Sequence, residues 1–258
     1  MLYLCYFVLY ALVFVTGACI GSFLNVCIYR LPKEESLIKK NSHCMSCGAY
    51  IKRRDLIPIV SWIILKGKCR NCGAKISPRY TVVELLNAVI YLLTFIFIKN
   101  IAFAALLCLL YSALIVVFFT DLDTQTINIY NILFIALLGI PKWLLTSDYT
   151  GVSILSQVLG AVVIGLPLFI LVFVTNERAM GYGDAYLMAA AGFFLGVKSI
   201  IIATFIGLII GCIAGLINKY KTGKSAFAFG PYLSIGIAIS SIFGVKLADL
   251  YLSITGLA

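Results

Sequence analysis

Charge is scarce in this chain. Only 12% of its 258 residues are charged, where a soluble domain carries about 25%. Nothing basic precedes Arg30. The apolar N-terminus therefore lacks the basic flank of a secretory signal and reads as a retained span. What replaces charge is hydrocarbon: 62% of residues are hydrophobic and the mean hydropathy is +1.08. A soluble globular domain is excluded, and a polytopic membrane protein is expected. Long uncharged runs occupy 1–29, 100–120, 124–141, 149–176, 199–218 and 225–245. A spanning helix needs roughly 17–25 such residues. The segment 81–98 adds a seventh run. The segment 185–197 is short, either a short span or a re-entrant piece. Backbone polar groups must be satisfied within the bilayer, so all are read as helices, and about eight spans are expected.

The few basic residues are unevenly placed. Twelve of the twenty Lys and Arg fall between 30 and 80, which makes that loop cytoplasmic and the N-terminus external. Counting forward puts Arg178, Lys219, Lys221 and Lys224 on the same side. The net charge of +10 is thus topological. Tyr50, Trp62 and Tyr80 accompany the charge in the loop, but nucleic acid is not an expected partner.

Nine cysteines fall into two kinds. Cys5, Cys19, Cys27, Cys108 and Cys212 stand alone in apolar runs and read as small buried hydrophobes. Cys44, Cys47, Cys69 and Cys72 occur in "CMSCGAYI" and "CRNCGAKI", two copies of Cys-x-x-Cys-Gly-Ala-x-Ile. Two such knuckles can supply four thiolates to tetrahedral zinc. Each following glycine permits the left-handed turn a knuckle needs. Four ligands close the shell, so the metal would be structural and His43 is not needed. A reducing cytoplasm agrees with this reading. Two disulfides or free thiols are the alternative.

Among the ten acidic residues, Glu34, Glu35, Asp55 and Glu177 read as solvated loop groups, and Asp148 and Asp249 as surface groups. Glu84 reads as a charge at a helix N-terminus, with substrate binding as the alternative. Asp121 and Asp123 in "FFTDLDTQ" and Asp184 in "AMGYGDAYL" differ, because all lie at cytoplasmic ends of spans. A carboxylate near the bilayer is a functional hypothesis by default. Asp121 ends the third span and Asp184 begins the sixth, so they can meet at one depth. Two such carboxylates cannot both ionise and would share a proton. One can then take a proton from water while the other polarises a peptide carbonyl. Gly181 and Gly183 would let an extended substrate approach Asp184. The plain alternative is helix capping by these carboxylates.

Together these segments resemble the type IV prepilin peptidase family, polytopic aspartic proteases of the GxGD type that commonly also N-methylate their product. The resemblance rests on five ordered blocks: "GSFLNVCIYRLP" (21–32), the cysteine loop and its continuation (44–88), "FTDLDTQTIN" (119–128), "AMGYGDAYL" (179–187) and "GKSAFAFGPYL" (223–233). It implies catalytic roles for Asp121 and Asp184, with Asp123 a neighbour, and zinc on Cys44, Cys47, Cys69 and Cys72. It implies prepilin or pseudopilin substrates, a short basic leader cleaved after glycine at the cytoplasmic face of the bacterial inner membrane, and methylation of the new N-terminus from S-adenosylmethionine. Two positions depart from the pattern. Ile127-Asn128 stands where the family often has proline, and Tyr186 where it often has lysine.

No Gly-x-Gly-x-x-Gly fingerprint follows a strand, so a methyl-donor site would be built from the loop and span ends. Asn25, Arg30 and Glu84 are polar groups near that face. The expected organisation is an all-α polytopic protein with a first span at 1–29, a zinc-binding loop at 30–80 and a membrane peptidase core at 81–258. A carboxylate-dependent transporter, a zinc-bearing adaptor and a preflagellin-type peptidase without methylation are the competing readings.

Overall fold

The computed structural model describes residues 2–39, 41–150, 154–178, 180–223 and 227–256. Lys40, Ala179 and Lys224, which figure in the readings above, lie outside the described residues. Among those described, every regular element is helical apart from two isolated β-bridges. The chain divides into two compact units, Met1–Val116 and Val117–Ala258.

The first unit holds α1 (Leu2–Arg30), α2 (Val60–Ile64), α3 (Arg79–Phe97) and most of α4 (Ile101–Thr124). The second holds the end of α4, then α5 (Ile129–Thr150), α6 (Ile154–Thr175), α7 (Tyr182–Leu195), α8 (Val197–Thr222) and α9 (Gly230–Thr255). Among the described residues, six helices are long and apolar enough to cross a membrane: α1, α3, α4, α6, α8 and α9. The apolar run expected at 124–141 begins later, as α5, because residues 125–128 form a turn. The run 185–197 corresponds to α7, which at 14 residues measures about 21 Å.

In the first unit α1 and α3 pack with their backbones nearly touching. Gly17 and Gly21, one turn apart on α1, allow this. A Cβ at Gly17 would lie 2.8 Å from Ala88 Cα, and one at Gly21 would lie 2.7 Å from Glu84 Cα. This is the small-xxx-small geometry of membrane helix pairs. The contact is fixed by buried polar groups. The Asn87 amide donates to Gly17 O at 2.7 Å, Ser112 Oγ donates to Asn87 Oδ1 at 3.0 Å, and the Tyr91 hydroxyl lies 2.9 Å from Ser112 Oγ. Of the single cysteines, Cys27 and Cys108 are buried as expected. Cys5, Cys19 and Cys212 are exposed on apolar helix faces instead, so their sulfur faces whatever surrounds the helices.

In the second unit α8 and α9 form a close hairpin. Gly207 and Gly215 face Leu233 and Phe227, where a Cβ would meet them at 3.1 and 2.8 Å, and Gly211 lies against the Phe229 ring. This glycine row seats the segment that opens α9. α7 ends at Gly196, which is also where α8 starts. Its last carbonyls receive a side-chain donor: buried Lys142 of α5 donates to Phe194 O at 2.5 Å and Leu195 O at 3.2 Å. A cation at a helix C-terminus also complements the macrodipole.

Lys142→Met keeps the length and apolar stem but leaves those carbonyls without this donor. The expected loss is about 1–3 kcal/mol of stability, read as a lower denaturation midpoint in mixed detergent micelles.

Candidate active site and cysteine cluster

Asp121 and Asp184 come together in the second unit, and backbone amides hold both. Asp121 lies in the last turn of α4, where the helix dipole disfavours an anion. It is 5% exposed. Its Oδ2 accepts the Gly230 N–H at 2.8 Å, so the carboxylate sits on the amide end of α9, where the dipole favours it. Gly230 must be small: a Cβ there would stand 2.9 Å from Asp121 Oδ2.

Asp184 lies in the first turn of α7. Gly181, extended at φ −81° and ψ 156°, is the residue before the helix, and its N–H is placed to donate back to the Asp184 carboxylate. That is the side-chain half of a capping box. The other oxygen is the unusual one. Asp184 Oδ1 is buried and has no hydrogen-bond partner among the described residues. The Asp121 carboxylate is close enough to act on Asp184 electrostatically.

Ile127 braces both helix starts. A Cβ at Gly183 would lie 3.2 Å from Ile127 Cβ, and one at Gly230 would lie 3.2 Å from Ile127 Cδ1. Asp123, two residues after Asp121, is exposed. Tyr186 packs edge-on to Phe169 with ring centroids 4.8 Å apart. Two interacting carboxyl groups, one with a spare buried oxygen, can divide base and acid roles between them.

The repeated cysteine sequence makes a repeated structure in the first unit. Cys44 N–H donates to Ala49 O at 2.9 Å and Gly48 N–H to Cys44 O at 2.9 Å. Cys69 N–H donates to Ala74 O at 2.8 Å and Gly73 N–H to Cys69 O at 2.9 Å. Gly48 and Gly73 have φ of 69° and 72°, the left-handed turn that glycine permits. The four sulfur atoms lie within 4.8 Å of one another. A tetrahedral zinc–thiolate shell has sulfur–sulfur edges of about 3.8 Å, so the donor set and spacing fit zinc. All four are free cysteines. Backbone N–H groups of Cys47 and Ser46 pull the Cys44 thiol down to about 6, whereas Cys72 in the same cluster, although the Ala74 N–H lowers it, is raised to about 11 by its cysteine neighbours. His43 is exposed and bonds to Asn41 O.

Asp55 is not the solvated loop group expected from sequence. Arg70, inside the second knuckle, grips it with Nη2–Oδ1 at 2.6 Å and Nε–Oδ2 at 2.9 Å. The Arg70 hydrogen bond holds the Asp55 carboxyl below the usual carboxylate range. The pair ties the linker between knuckles to the cluster. Glu84 also differs from expectation. It lies past the first turn of α3 and is buried. Its Oε2 accepts the Ile59 N–H at 2.7 Å, at a residue held in the left-handed region, φ 63°. Beside it, the end of α1, the start of α3 and the cysteine loop enclose a cavity of about 450 Å³. Asn25 and Arg30 also line it.

Sequence reading missed Gly230. Its only signal was the Phe-Gly-Pro-Tyr string, with proline in the first turn of α9.

Comparison with known proteins covers both units. A family described as the bacterial peptidase A24 N-terminal domain matches residues 15–98, and the type IV leader peptidase family matches 108–216. A type 4 prepilin-like proteins leader peptide-processing enzyme of Escherichia coli is 34% identical over 89% of this chain and 91% of its own length. A prepilin leader peptidase/N-methyltransferase of Neisseria gonorrhoeae is 34% identical over 86% of each. One of the same description from Aeromonas salmonicida is 31% identical over 95% of this chain and 94% of its own. No solved structure matches.

The hold on Asp121 can be tested without any activity. Asp121→Asn keeps an acceptor for the Gly230 amide, and stability should change by less than about 0.5 kcal/mol. Asp121→Ala strands the amide and should cost about 1–3 kcal/mol. Thermal unfolding of the two variants in one detergent gives the comparison.

Proposed function

The chain belongs to the type IV leader peptidase family, and from that premise we propose that it removes the leader of prepilins or pseudopilins and then methylates the new N-terminal amine. The observation that carries the peptidase reading is the meeting of Asp121 and Asp184, with Asp123 left outside.

In this reading Asp121 and Asp184 are the catalytic pair. Asp121, with Oδ2 accepting an amide proton, is suited to be the anionic member. It takes a proton from water as the water oxygen bonds to the carbonyl carbon of the leader's glycine. Asp184 carries the shared proton on its unpartnered oxygen and gives it to the carbonyl oxygen. The peptide C–N bond then breaks, the amine leaves with the proton that Asp121 took from water, and a hydroxyl of the gem-diol returns its proton to Asp184 as the glycine carboxyl group forms. Gly230 and Gly181 supply the fixed dipoles that keep both carboxyls in place. S-adenosylmethionine, when bound, would supply the methyl group that replaces a hydrogen of the new N-terminal amine.

Zinc on Cys44, Cys47, Cys69 and Cys72 is structural in this reading, with Asp55–Arg70 bracing the second knuckle. The chain is a multi-pass membrane protein. We assign it eight crossings of the bacterial inner membrane, counting α5 and α7. The N-terminus is outside and the cysteine loop faces the cytoplasm, which the basic residues of that loop support. A basic leader would then stay in the cytoplasm while the apolar pilin helix stays in lipid.

Co-expression with a prepilin bearing a basic leader and a Gly–Phe junction, followed by mass spectrometry of the pilin N-terminus, tests the reading. Leader removal should fall by roughly 10²–10⁴-fold in Asp121→Asn and Asp184→Asn and persist in Asp123→Asn. The processed pilin should also carry about 14 Da more than the bare terminus, one methyl in place of hydrogen. Normal cleavage by Asp184→Asn would rule out the pair.

Metal content is a separate expectation. The purified chain should hold about one zinc, and Cys69→Ser should lose it. Because structural metal binding is coupled to folding, that variant should also become protease-sensitive between residues 41 and 78.

A further inference from the structure

We infer that the 450 Å³ cavity between the end of α1, the start of α3 and the cysteine loop binds the S-adenosyl methyl donor, with Glu84 taking its hydrogen-bond donors and Trp62 and Tyr80 flanking its adenine. The inference rests on the methylating reading above and assigns that reading its site.

The cavity has the size of small-molecule sites, roughly 300–1,000 Å³. Its lining matches the parts of the ligand. Adenine needs flat apolar faces, and Trp62, Tyr80 and Tyr29 line the space. Trp62 is held in place: its indole N–H donates to Ile76 O at 3.2 Å, and Gly67 packs on its ring. The ribose hydroxyls and the ammonium need an oriented acceptor, and Glu84 provides one. Its carboxylate is fixed by the Ile59 N–H and by the Ser22 hydroxyl. Two hydrogen bonds leave a carboxylate with spare lone pairs.

Glu84 has no cationic partner among the described residues, although it is buried. A buried anion without a counter-charge is costly. A ligand whose sulfonium and ammonium outnumber its one carboxylate supplies the missing positive charge. Asn25, which donates to Tyr80 O at 2.9 Å, fixes the α1–α3 edge of the cavity. Arg30, at the end of α1, ties the chain that follows it by donating to Ser36 O and Leu37 O at 3.1 and 3.2 Å.

The chain has two tryptophans, Trp62 in the cavity wall and Trp143 on α5. In Trp143→Phe the emission comes from Trp62 alone. Titrating that zinc-loaded full-length variant with S-adenosylmethionine should change the emission saturably. The midpoint should match calorimetry on the native chain. Trp62→Phe, which leaves only Trp143, should show no emission change. Glu84→Gln keeps an acceptor for Ile59 but removes the charge, and should weaken binding roughly tenfold or more. Val26→Phe, which fills the cavity from α1, should abolish binding. Zinc content and melting temperature identify any variant that fails to fold, and the Trp62 titration stands apart from both.

Calorimetric binding with a flat Trp62 signal and an unaffected Glu84→Gln would place the donor elsewhere and leave the methylating reading intact. No binding to the native chain also overturns the inference. The pilin mass then shows whether methylation falls with it: an unmethylated product fails both, and a methylated one fails the cavity alone.

Discussion

A polar atom surrounded by hydrocarbon has only the protein to bond to. Most of this chain obeys that constraint visibly. Gly17 and Gly21 bring two backbones together, and Asn87, Ser112 and Tyr91 then satisfy one another across three helices. Lys142 is spent on the carbonyls that α7 leaves open. In such surroundings a buried carboxylate oxygen without a partner is expensive. Asp184 Oδ1 is such an atom, and it lies beside the other buried carboxylate of the same unit. Gln157 Oε1, Ser234 Oγ and Ser240 Oγ are also buried without a partner among the described residues; what sets Asp184 Oδ1 apart is the second carboxyl group beside it.

The means of holding the pair follow from the same economy of charge. No lysine or arginine is needed, because two helix starts provide the donors. Gly230 opens α9 against Asp121, and Gly181 precedes α7 beside Asp184. Peptide amides are fixed in direction and cost no reorganisation during a reaction. Their use demands close approach, which is why glycine stands at 230 and why Ile127 can lean on both helix starts. The glycine row of α8 is part of the same device, since it seats the Phe227–Leu233 segment that carries the Gly230 amide.

Much of this was legible in the sequence, where the signal was local. Long apolar runs reported the helices. The doubled Cys-x-x-Cys-Gly-Ala-x-Ile reported a four-sulfur cluster. The two aspartates, each at a helix end, reported a meeting that the structure brings about. What stayed hidden depends on contacts distant in sequence. Nothing around Gly230 announces a partner 109 residues away. Asp55 looked solvated because its guanidinium partner belongs to the second knuckle, 15 residues on. Glu84 looked like a helix-end charge because the Ile59 amide that it accepts comes from the far side of the loop. Cys5, Cys19 and Cys212 were misjudged because a small thiol is as acceptable on an apolar outer face as in a core.

The length of α7 has a mechanical consequence. At 14 residues it spans about 21 Å, while the hydrocarbon of an ordinary bilayer is about 30 Å thick. If α7 crosses the bilayer, as the eight-crossing proposal has it, its two ends cannot both reach the surface of an unperturbed membrane. Either the lipid thins beside this helix or a dent of solvent follows it inward. Each case relieves the mismatch at modest energetic expense. In the proposed peptidase reading hydrolysis at Asp184 consumes water, and a deformed bilayer would bring it there without a polar channel. The acyl-chain length of the host membrane then becomes a determinant of turnover alongside the residues themselves.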